Sequence, residues 1–359
     1  MQTKIKKIDL RGQHLYIGID VHLKSWKVTI LNEHYECKTF SQDPEPDILI
    51  AHLRNNYPGA IYHAVYEAGF CGFQHQRALE KAGVECIIVH PVDIPFTGKD
   101  RKLKNDVRDS RKLAKSLRSG ELEGIYIPDE EHVADRDLIR SRYKVARDIT
   151  RYKLRIKSML MFHGMKVPWY ISAEQSRHWS ANYVQWLKEL DVKYRWLRCS
   201  LDCYIDCVLV LRKQLLGLNR NIRQMASTPR YKKSCELLMG IPGIGTISAM
   251  TLLTEIGDIR RFTTFDQLAL FVGLVPKTNS SGDREVVGKM VKRGRKALKI
   301  IIIESAWVAA RQDPALMAKF NTLSKKMVKN KAIIRIARKL LNRIRHILIY
   351  QEEYVIGLA

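Results

Sequence analysis

LYIGID, residues 15–20, is a nearly continuous apolar run that ends on an aspartate. Such a run predicts a buried β-strand, and its last residue then lies at an edge of the sheet. WKVTIL, residues 26–31, predicts a second strand, and a third is expected near residues 35–40. The chain therefore begins with a sheet.

Alternating strand and helix patterns follow these strands. They predict helices near 47–55, 73–81 and 106–118, with strands at AIYHAVYE (residues 60–67) and VECIIVH (residues 84–90). Strands that come first in a run and then alternate with helices predict an α/β domain with a mixed sheet, which we place at residues 1–128.

The apolar spacing changes to a helical period between residues 129 and 225. The second of two such series is Leu197, Leu201, Tyr204, Val208, Leu211, Leu215, Leu218, Ile222 and Met225. It continues for about four heptads, which favours a coiled-coil seam. The pattern leaves open whether the two helices pair with each other or with another subunit.

Residues 226–359 form a third predicted region, mainly helical and strongly basic. Lys292 to Arg345 contains 16 Lys or Arg against two acids, Glu304 and Asp313. A helical apolar face persists at Ile333, Ile336, Leu340 and Ile344, so the segment differs from a disordered basic arm. We interpret it as a polyanion-binding surface.

The net charge and the lengths of the apolar runs limit the kinds of partner that this protein can have. The formal net charge is +25, and 46% of the residues are hydrophobic, enough to build cores. Such a charge indicates nucleic acid or an anionic membrane surface as partner. No apolar run reaches the roughly 18 residues that span a bilayer. We therefore expect an intracellular protein with no membrane partner.

Seven cysteines give no disulfide framework. Cys199, Cys203 and Cys207 recur every four residues, which would place the outer two roughly 12 Å apart on a helix. One tetrahedral zinc cannot bridge that distance, so we expect these side chains to be packed in a core.

Four acids stand at positions that suit a metal site. Asp20 and Glu67 end predicted strands, and Asp106 and Asp109 are spaced i, i+3 at the start of a helix. Grouped carboxylates suit Mg²⁺, and two such ions can act in phosphoryl transfer. Taken singly, each acid also fits a turn cap, a solvated surface position or a helix N-terminus.

Two glycine-containing turns follow. GIPGIG, residues 240–245, fits a helix-hairpin-helix in which Gly243 and Gly245 let backbone N–H groups approach a phosphate, although a plain helix–helix turn is the alternative. Ser280 and Ser281 precede Gly282, where local evidence indicates a simple turn. The basic residues that we expect to contact nucleic acid are Lys102, Lys104, Arg108, Lys292, Arg293 and Arg295.

Together and in this order, the four acids, GIPGIG, GLVP and SSG before a KRG segment resemble the DEDD insertion-sequence transposases, relatives of the Piv/MooV DNA invertases. The resemblance implies an RNase H-like (RuvC-like) N-terminal domain, a coiled-coil linker and a helical transposase domain. It also implies that Ser281 is a nucleophile that forms a phosphoserine with DNA, and that a Mg²⁺ site and a bridge or seeker guide RNA take part. It further implies a homo-oligomer whose subunits share active sites, in the cytoplasm of a bacterium or archaeon and associated with the nucleoid.

Some points stay open. Ser280 leaves the nucleophile ambiguous by one position, Asp283 stands where relatives often carry a small residue, and residues 1–14 have no assigned role. A structure-specific nuclease of the junction-resolving type would use the same acids with water. A second alternative is a non-catalytic nucleic-acid-binding protein in which the acids form an inherited but inactive site.

Overall fold

A computed structural model describes residues 10–95, 106–168, 170–171, 179–281, 284–290 and 294–357. The chain divides into two compact units, 1–127 and 128–359. In the described part of the chain, no helix combines the length and the apolarity needed to cross a bilayer.

The first unit is built on a five-stranded mixed sheet, as predicted. Its strands are β1 (His14–Val21), β2 (Trp26–Leu31), β3 (Glu36–Gln42), β4 (Ile61–Glu67) and β5 (Glu85–Val89). They lie in the order β3-β2-β1-β4-β5. The first three are antiparallel, and β4 and β5 run parallel to β1. This arrangement fits the expected RNase H-like layout.

Helices cover both faces of this sheet. They are α1 (Pro46–Asn56), α2 (Gln74–Lys81) and α3 (Asp106–Arg118). Leu15, Ile17 and Ile19 of β1 pack against the buried leucines of α1 and α2. On the opposite face, Val65 of β4 packs with Leu113 of α3. Because side chains alternate along a strand, the even-numbered residues of β1 face α3.

Gly18 of β1 lies directly beneath α3. A Cβ at this position would come within 2.0 Å of Ser110 O and 2.5 Å of Ala114 N. Both are backbone atoms, so they cannot move aside as a flexible side chain would. The absence of a side chain at residue 18 therefore allows α3 to approach β1 closely.

The second unit begins with two long helices that pack along each other. They are α4 (Glu130–Phe162) and α6 (Arg195–Ala226), and the shorter α5 (Ala181–Glu189) lies between them in sequence. Ile149 and Ile156 share a buried cluster with Leu201, Ile205 and Val208. The two predicted helical series thus pack against each other within one chain.

The expectation for the cysteines of α6 is wrong in part. Cys199 and Cys203 are exposed, and Cys207 is half-buried. An α-helix that packs on one side buries one stripe of residues, and Leu201, Ile205 and Val208 form that stripe here. The cysteines lie to the side of it.

A larger helical core forms the rest of the second unit. Its elements are α7 (Lys232–Met239), α8 (Thr246–Ile256), α9 (Phe265–Val272), β6 (Pro276–Ser281), β7 (Arg284–Met290), α10 (Lys296–Gln312), α11 (Pro314–Lys326) and α12 (Lys329–Tyr350). The predicted apolar face of the basic tail, Ile333, Ile336, Leu340 and Ile344, is buried in this core. The prediction of a folded rather than disordered basic segment is thereby confirmed.

Candidate active site

Asp20 and Asp106, which are far apart in sequence, lie together where β1 ends and α3 begins. His22 stands between them: its Nε2 is 3.1 Å from Asp20 Oδ2 and 3.7 Å from Asp106 Oδ1. One ligand atom from each of the three residues lies within 4.8 Å of the other two. The structure thus brings together two of the four predicted acids and adds a histidine.

The other two acids lie on α3 and on β4, the strand that pairs with β1. Asp109 is on α3, and its charge acts on Asp20. Glu67 is the last residue of β4, which pairs in parallel with β1 up to Ile19 and Tyr66. Since Val65 faces α3, strand alternation puts Glu67 on that face as well. Glu67 is exposed and does not belong to the group formed by Asp20, His22 and Asp106.

Negative charge accumulates around Asp20. Burial raises the pKa of its carboxyl group, His22 lowers that pKa by charge and by a hydrogen bond, and the charges of Asp106 and Asp109 raise it again. Carboxylates that repel one another in this way are stabilised by a shared cation. Their oxygen atoms are the ligands that Mg²⁺ prefers. The residues present therefore fit a divalent metal ion.

Contacts away from the acids hold α3 in place on the sheet. Thr29 of β2 and Ser110 of α3 are both buried, and their hydroxyl oxygens are 2.9 Å apart. Arg111 donates from Nε and Nη2 to the carboxylate of Glu36, at 2.6 and 2.8 Å. With the close approach at Gly18, these contacts fix where Asp106 stands relative to Asp20.

His22 is a residue that our sequence reasoning missed. The signal was present in the sequence: Asp20-Val21-His22 places two polar side chains two residues apart at the end of an apolar strand. Strand alternation brings such a pair to one face. A search for metal ligands that included histidine beside the acids would have found it.

Ser281 lies in the second unit, in the hairpin formed by β6 and β7. It is the last residue of β6 and pairs with Arg284. Gly282 and Asp283 are outside the described residues. Sequence analysis predicted a turn at this position but did not predict the two strands that flank it.

The hairpin is attached at its base to the end of α9. Gly294, with φ +121°, is so close to Gly273 that a Cβ would come within 2.6 Å of its Cα and N atoms. The Arg295 N–H donates to Phe271 O at 3.0 Å. Both ends of the hairpin segment are therefore held at one point of the helical core.

The buried carboxylate of Glu255 forms ion pairs with two half-buried arginines near this base. Arg140 of α4 donates to both Glu255 oxygens, at 2.7 and 2.9 Å, and Arg295 Nε lies 3.9 Å from Oε2. Burial alone would raise the pKa of Glu255, but the hydrogen bond and charge of Arg140, with the charges of Arg295 and Arg136, hold it below its usual range. Glu255 thus links Arg295 to α4.

Two helices, α7 and α8, flank the turn at 240–245, an arrangement that fits both a helix-hairpin-helix and a plain helix–helix turn. Gly243 has φ +88°, and a Cβ there would lie 2.8 Å from Val308 Cβ and 3.0 Å from Ser305 Cα. Ser305 Oγ donates to Gly243 O at 2.9 Å. Gly243 is therefore required for packing against α10, whereas Gly245, at the N-terminus of α8, meets no atom within 4 Å.

Two of the six basic residues predicted to contact nucleic acid lie in the described part of the chain. Arg108 is exposed on α3, and Arg295 precedes α10 with half of its side chain exposed. The remaining predicted basic contacts, Lys102, Lys104, Lys292 and Arg293, lie outside the described residues.

Two transposase family models match the chain. A DEDD transposase model of the IS110 type matches residues 17–164, which include all four acids. A model for transposases of the IS116/IS110/IS902 family matches residues 235–321, which include the GIPGIG turn and the serine hairpin.

Individual relatives extend the similarity over most of the chain. The transposase for insertion sequence element IS1533 of Leptospira borgpetersenii is 28% identical over 307 residues, 82% of this chain and 84% of the relative. The y4qE protein of Sinorhizobium fredii is 30% identical over 244 residues, 67% of this chain, and the chain spans 57% of its length. The transposase for element IS1111A of Coxiella burnetii is 30% identical over 138 residues, 37% of this chain and 38% of the relative. With both family models matched, the chain belongs to the DEDD insertion-sequence transposase family.

Proposed function

We propose that this protein is a DNA transposase that mobilises an insertion element by Mg²⁺-dependent strand cleavage and exchange. The observation that carries the proposal is the convergence of Asp20 and Asp106, with Asp109 beside them, at the point where β1 meets α3. Membership of the DEDD transposase family supports the same activity.

In this proposal the acids hold the metal site, and Ser281 attacks DNA. Asp20, Glu67, Asp106 and Asp109 bind the ions and orient the scissile phosphate. When bound, divalent ions supply charge that stabilises the attacking and leaving oxygens. Asp20 lies on β1 and Asp106 and Asp109 lie on α3, so the docking of α3 on the sheet would set the spacing of these three acids before DNA binds.

The proposed covalent step conserves the number of phosphoester bonds. The Ser281 hydroxyl loses its proton and forms an ester bond to the DNA phosphorus, while the bond from phosphorus to the 3′ oxygen breaks. The 3′ oxygen leaves as a hydroxyl, and the 5′ phosphate stays on the serine. A 3′ hydroxyl of another strand then attacks this linkage and releases the serine, so exchange needs no external energy source.

Guide RNA would supply target specificity. The chain has a large positive charge but no recognisable base-reading element, and base pairing could provide the sequence selection that such a protein lacks. We also propose that it acts as a homo-oligomer in which serines and acid clusters of different copies cooperate.

Serine substitutions test the proposed chemistry. Ser281→Ala should abolish covalent protein–DNA adducts on denaturing gels and should abolish strand exchange with the element's ends. Ser280→Ala is the matched control and should retain both. Cleavage by Ser281→Ala at the rate of the unaltered protein would instead favour a nuclease that uses water.

A second experiment tests the guide. The protein is purified from cells that carry its own element, and the RNA that copurifies is sequenced. A discrete RNA encoded by the element supports the proposal. Random cellular RNA, released steeply by added salt, would indicate binding by charge alone and would contradict guidance.

A further inference from the structure

His22 lies among the acids of the candidate site, yet the DEDD pattern gives it no role. It directly follows β1, so strand alternation places it on the same face as Asp20. Its Nε2 approaches carboxylates on two separate elements, Asp20 at 3.1 Å and Asp106 at 3.7 Å. The histidine is therefore in contact with the groups proposed to bind metal.

These distances suit three ligands of one ion. In an octahedral site with bonds near 2.1 Å, neighbouring ligand atoms are roughly 3 Å apart and opposite ones roughly 4.2 Å apart. The three donor atoms here all lie within 4.8 Å of one another. The 3.1 Å contact with Asp20 is a hydrogen bond. The same nitrogen also approaches Asp106 on α3, so one atom from each of the three residues could bind the same ion.

Access and charge also favour an ion at this point. The side chains of His22 and Asp106 are 48% and 60% exposed, so an ion can enter from solvent. Asp20 is 20% exposed and forms the inner wall. In the absence of an ion, Nε2–H can donate to the Asp20 carboxylate; in the tautomer with the proton on Nδ1, the Nε2 lone pair would instead be available to a metal ion. Two carboxylates and one imidazole would then surround the ion.

We infer that His22 is a direct metal ligand beside Asp20 and Asp106, and that it makes the site prefer Mn²⁺ to Mg²⁺. The inference rests on the proposed function, because it concerns the same metal site. Mg²⁺ keeps oxygen ligands and water, whereas imidazole binds transition-metal ions more readily. Removing the imidazole should therefore weaken Mn²⁺ binding more than Mg²⁺ binding.

Calorimetric titration of the full-length protein with MnCl₂ and with MgCl₂ measures this difference. His22→Ala should lose at least about tenfold of its affinity for Mn²⁺, since loss of even an outer-shell partner costs about 10–100-fold, while its affinity for Mg²⁺ changes little. His34→Ala, which alters an exposed histidine between β2 and β3, is the matched control and should leave both affinities unchanged.

Electron spin-echo spectroscopy of bound Mn²⁺ distinguishes a ligand from a residue that only positions Asp20. The unaltered protein and His34→Ala should show coupling of Mn²⁺ to a directly bound nitrogen, and His22→Ala should lose it. Equal losses of Mn²⁺ and Mg²⁺ affinity, or a nitrogen signal that persists in His22→Ala, would overturn the inference and leave the proposed function intact. Failure of the unaltered protein to bind either ion would contradict both.

Discussion

Substitution of Gly18 by alanine should separate the two halves of the candidate metal site. The new Cβ would lie 2.0 Å from Ser110 O and 2.5 Å from Ala114 N, both backbone atoms of α3. An ordinary carbon–oxygen contact is near 3.4 Å, so α3 must move outward by roughly 1.5 Å. Asp106 and Asp109 move with the helix, whereas Asp20 stays on β1.

The expected magnitudes follow from this displacement. Overpacking of a tight contact costs about 3 kcal/mol, which should lower the Tm of the first unit by roughly 10 °C. Metal ligation tolerates errors of only about 0.2 Å, so the affinity for Mg²⁺ should fall by at least about tenfold. Circular dichroism measures the Tm, and calorimetric titration measures the affinity.

Gly69→Ala provides the matched control for this prediction. The nearest atom to its added Cβ is Glu67 O at 3.8 Å, an ordinary contact, and the residue lies just after β4 in the same unit. This variant should keep both the Tm and the metal affinity. If Gly18→Ala behaved like Gly69→Ala in both measurements, the reasoning that α3 docks directly over residue 18 would be refuted.

Three further predictions concern the second unit. Gly243→Ala should destabilise the protein by about 2 kcal/mol in urea unfolding, because its Cβ would overlap Val308 and its φ is positive, whereas Gly245→Ala should be nearly neutral. Glu255→Gln should cost about 1–2 kcal/mol in the same assay, because it leaves the half-buried guanidinium group of Arg140 without its carboxylate partner. Burial and the neighbouring Asp313 carboxylate raise the pKa of Tyr354 from 10.0 to about 12, so its contribution to stability is complete below pH 10 and is lost as the pH rises towards 12. Tyr354→Phe should therefore flatten the pH dependence of unfolding in that window.

Each of these predictions has a contradicting result. Equal unfolding free energies for the two glycine variants would mean that the turn at 240–245 does not pack on α10. A Glu255→Gln variant as stable as the unaltered protein would show that its ion pair contributes no net stability. If Tyr354→Phe left the slope of unfolding free energy against pH unchanged between pH 10 and 12, Tyr354 would not be the cause of that pH dependence.

Local periodicity explains why most of the fold could be predicted. The apolar runs before Asp20 and Glu67 mark strands by length and composition, and the i, i+3 spacing of Asp106 and Asp109 marks one face of a helix. Placement of the acids near one edge then follows from the parallel pairing of β1 and β4. These signals are contained within short segments of sequence.

Tertiary contacts could not be predicted in this way. The requirement for glycine at residue 18 depends on a helix almost a hundred residues later in the chain, and so does the hydrogen bond between Thr29 and Ser110. Sequence analysis attributed Gly243 to phosphate approach, and the structure adds a packing contact of this glycine with α10. In such cases the local sequence predicts the strand or the turn, but the need for glycine arises from contact with a helix that is distant in sequence.

The central claim is that acids from β1 and α3 bind one divalent ion, and anomalous diffraction from crystals of the full-length protein grown with Mn²⁺ tests it most directly. The account predicts an anomalous peak within about 2.0–2.4 Å of carboxylate oxygens from both Asp20 and Asp106. A well-occupied peak elsewhere, with these two carboxylates bound only to water, would contradict it.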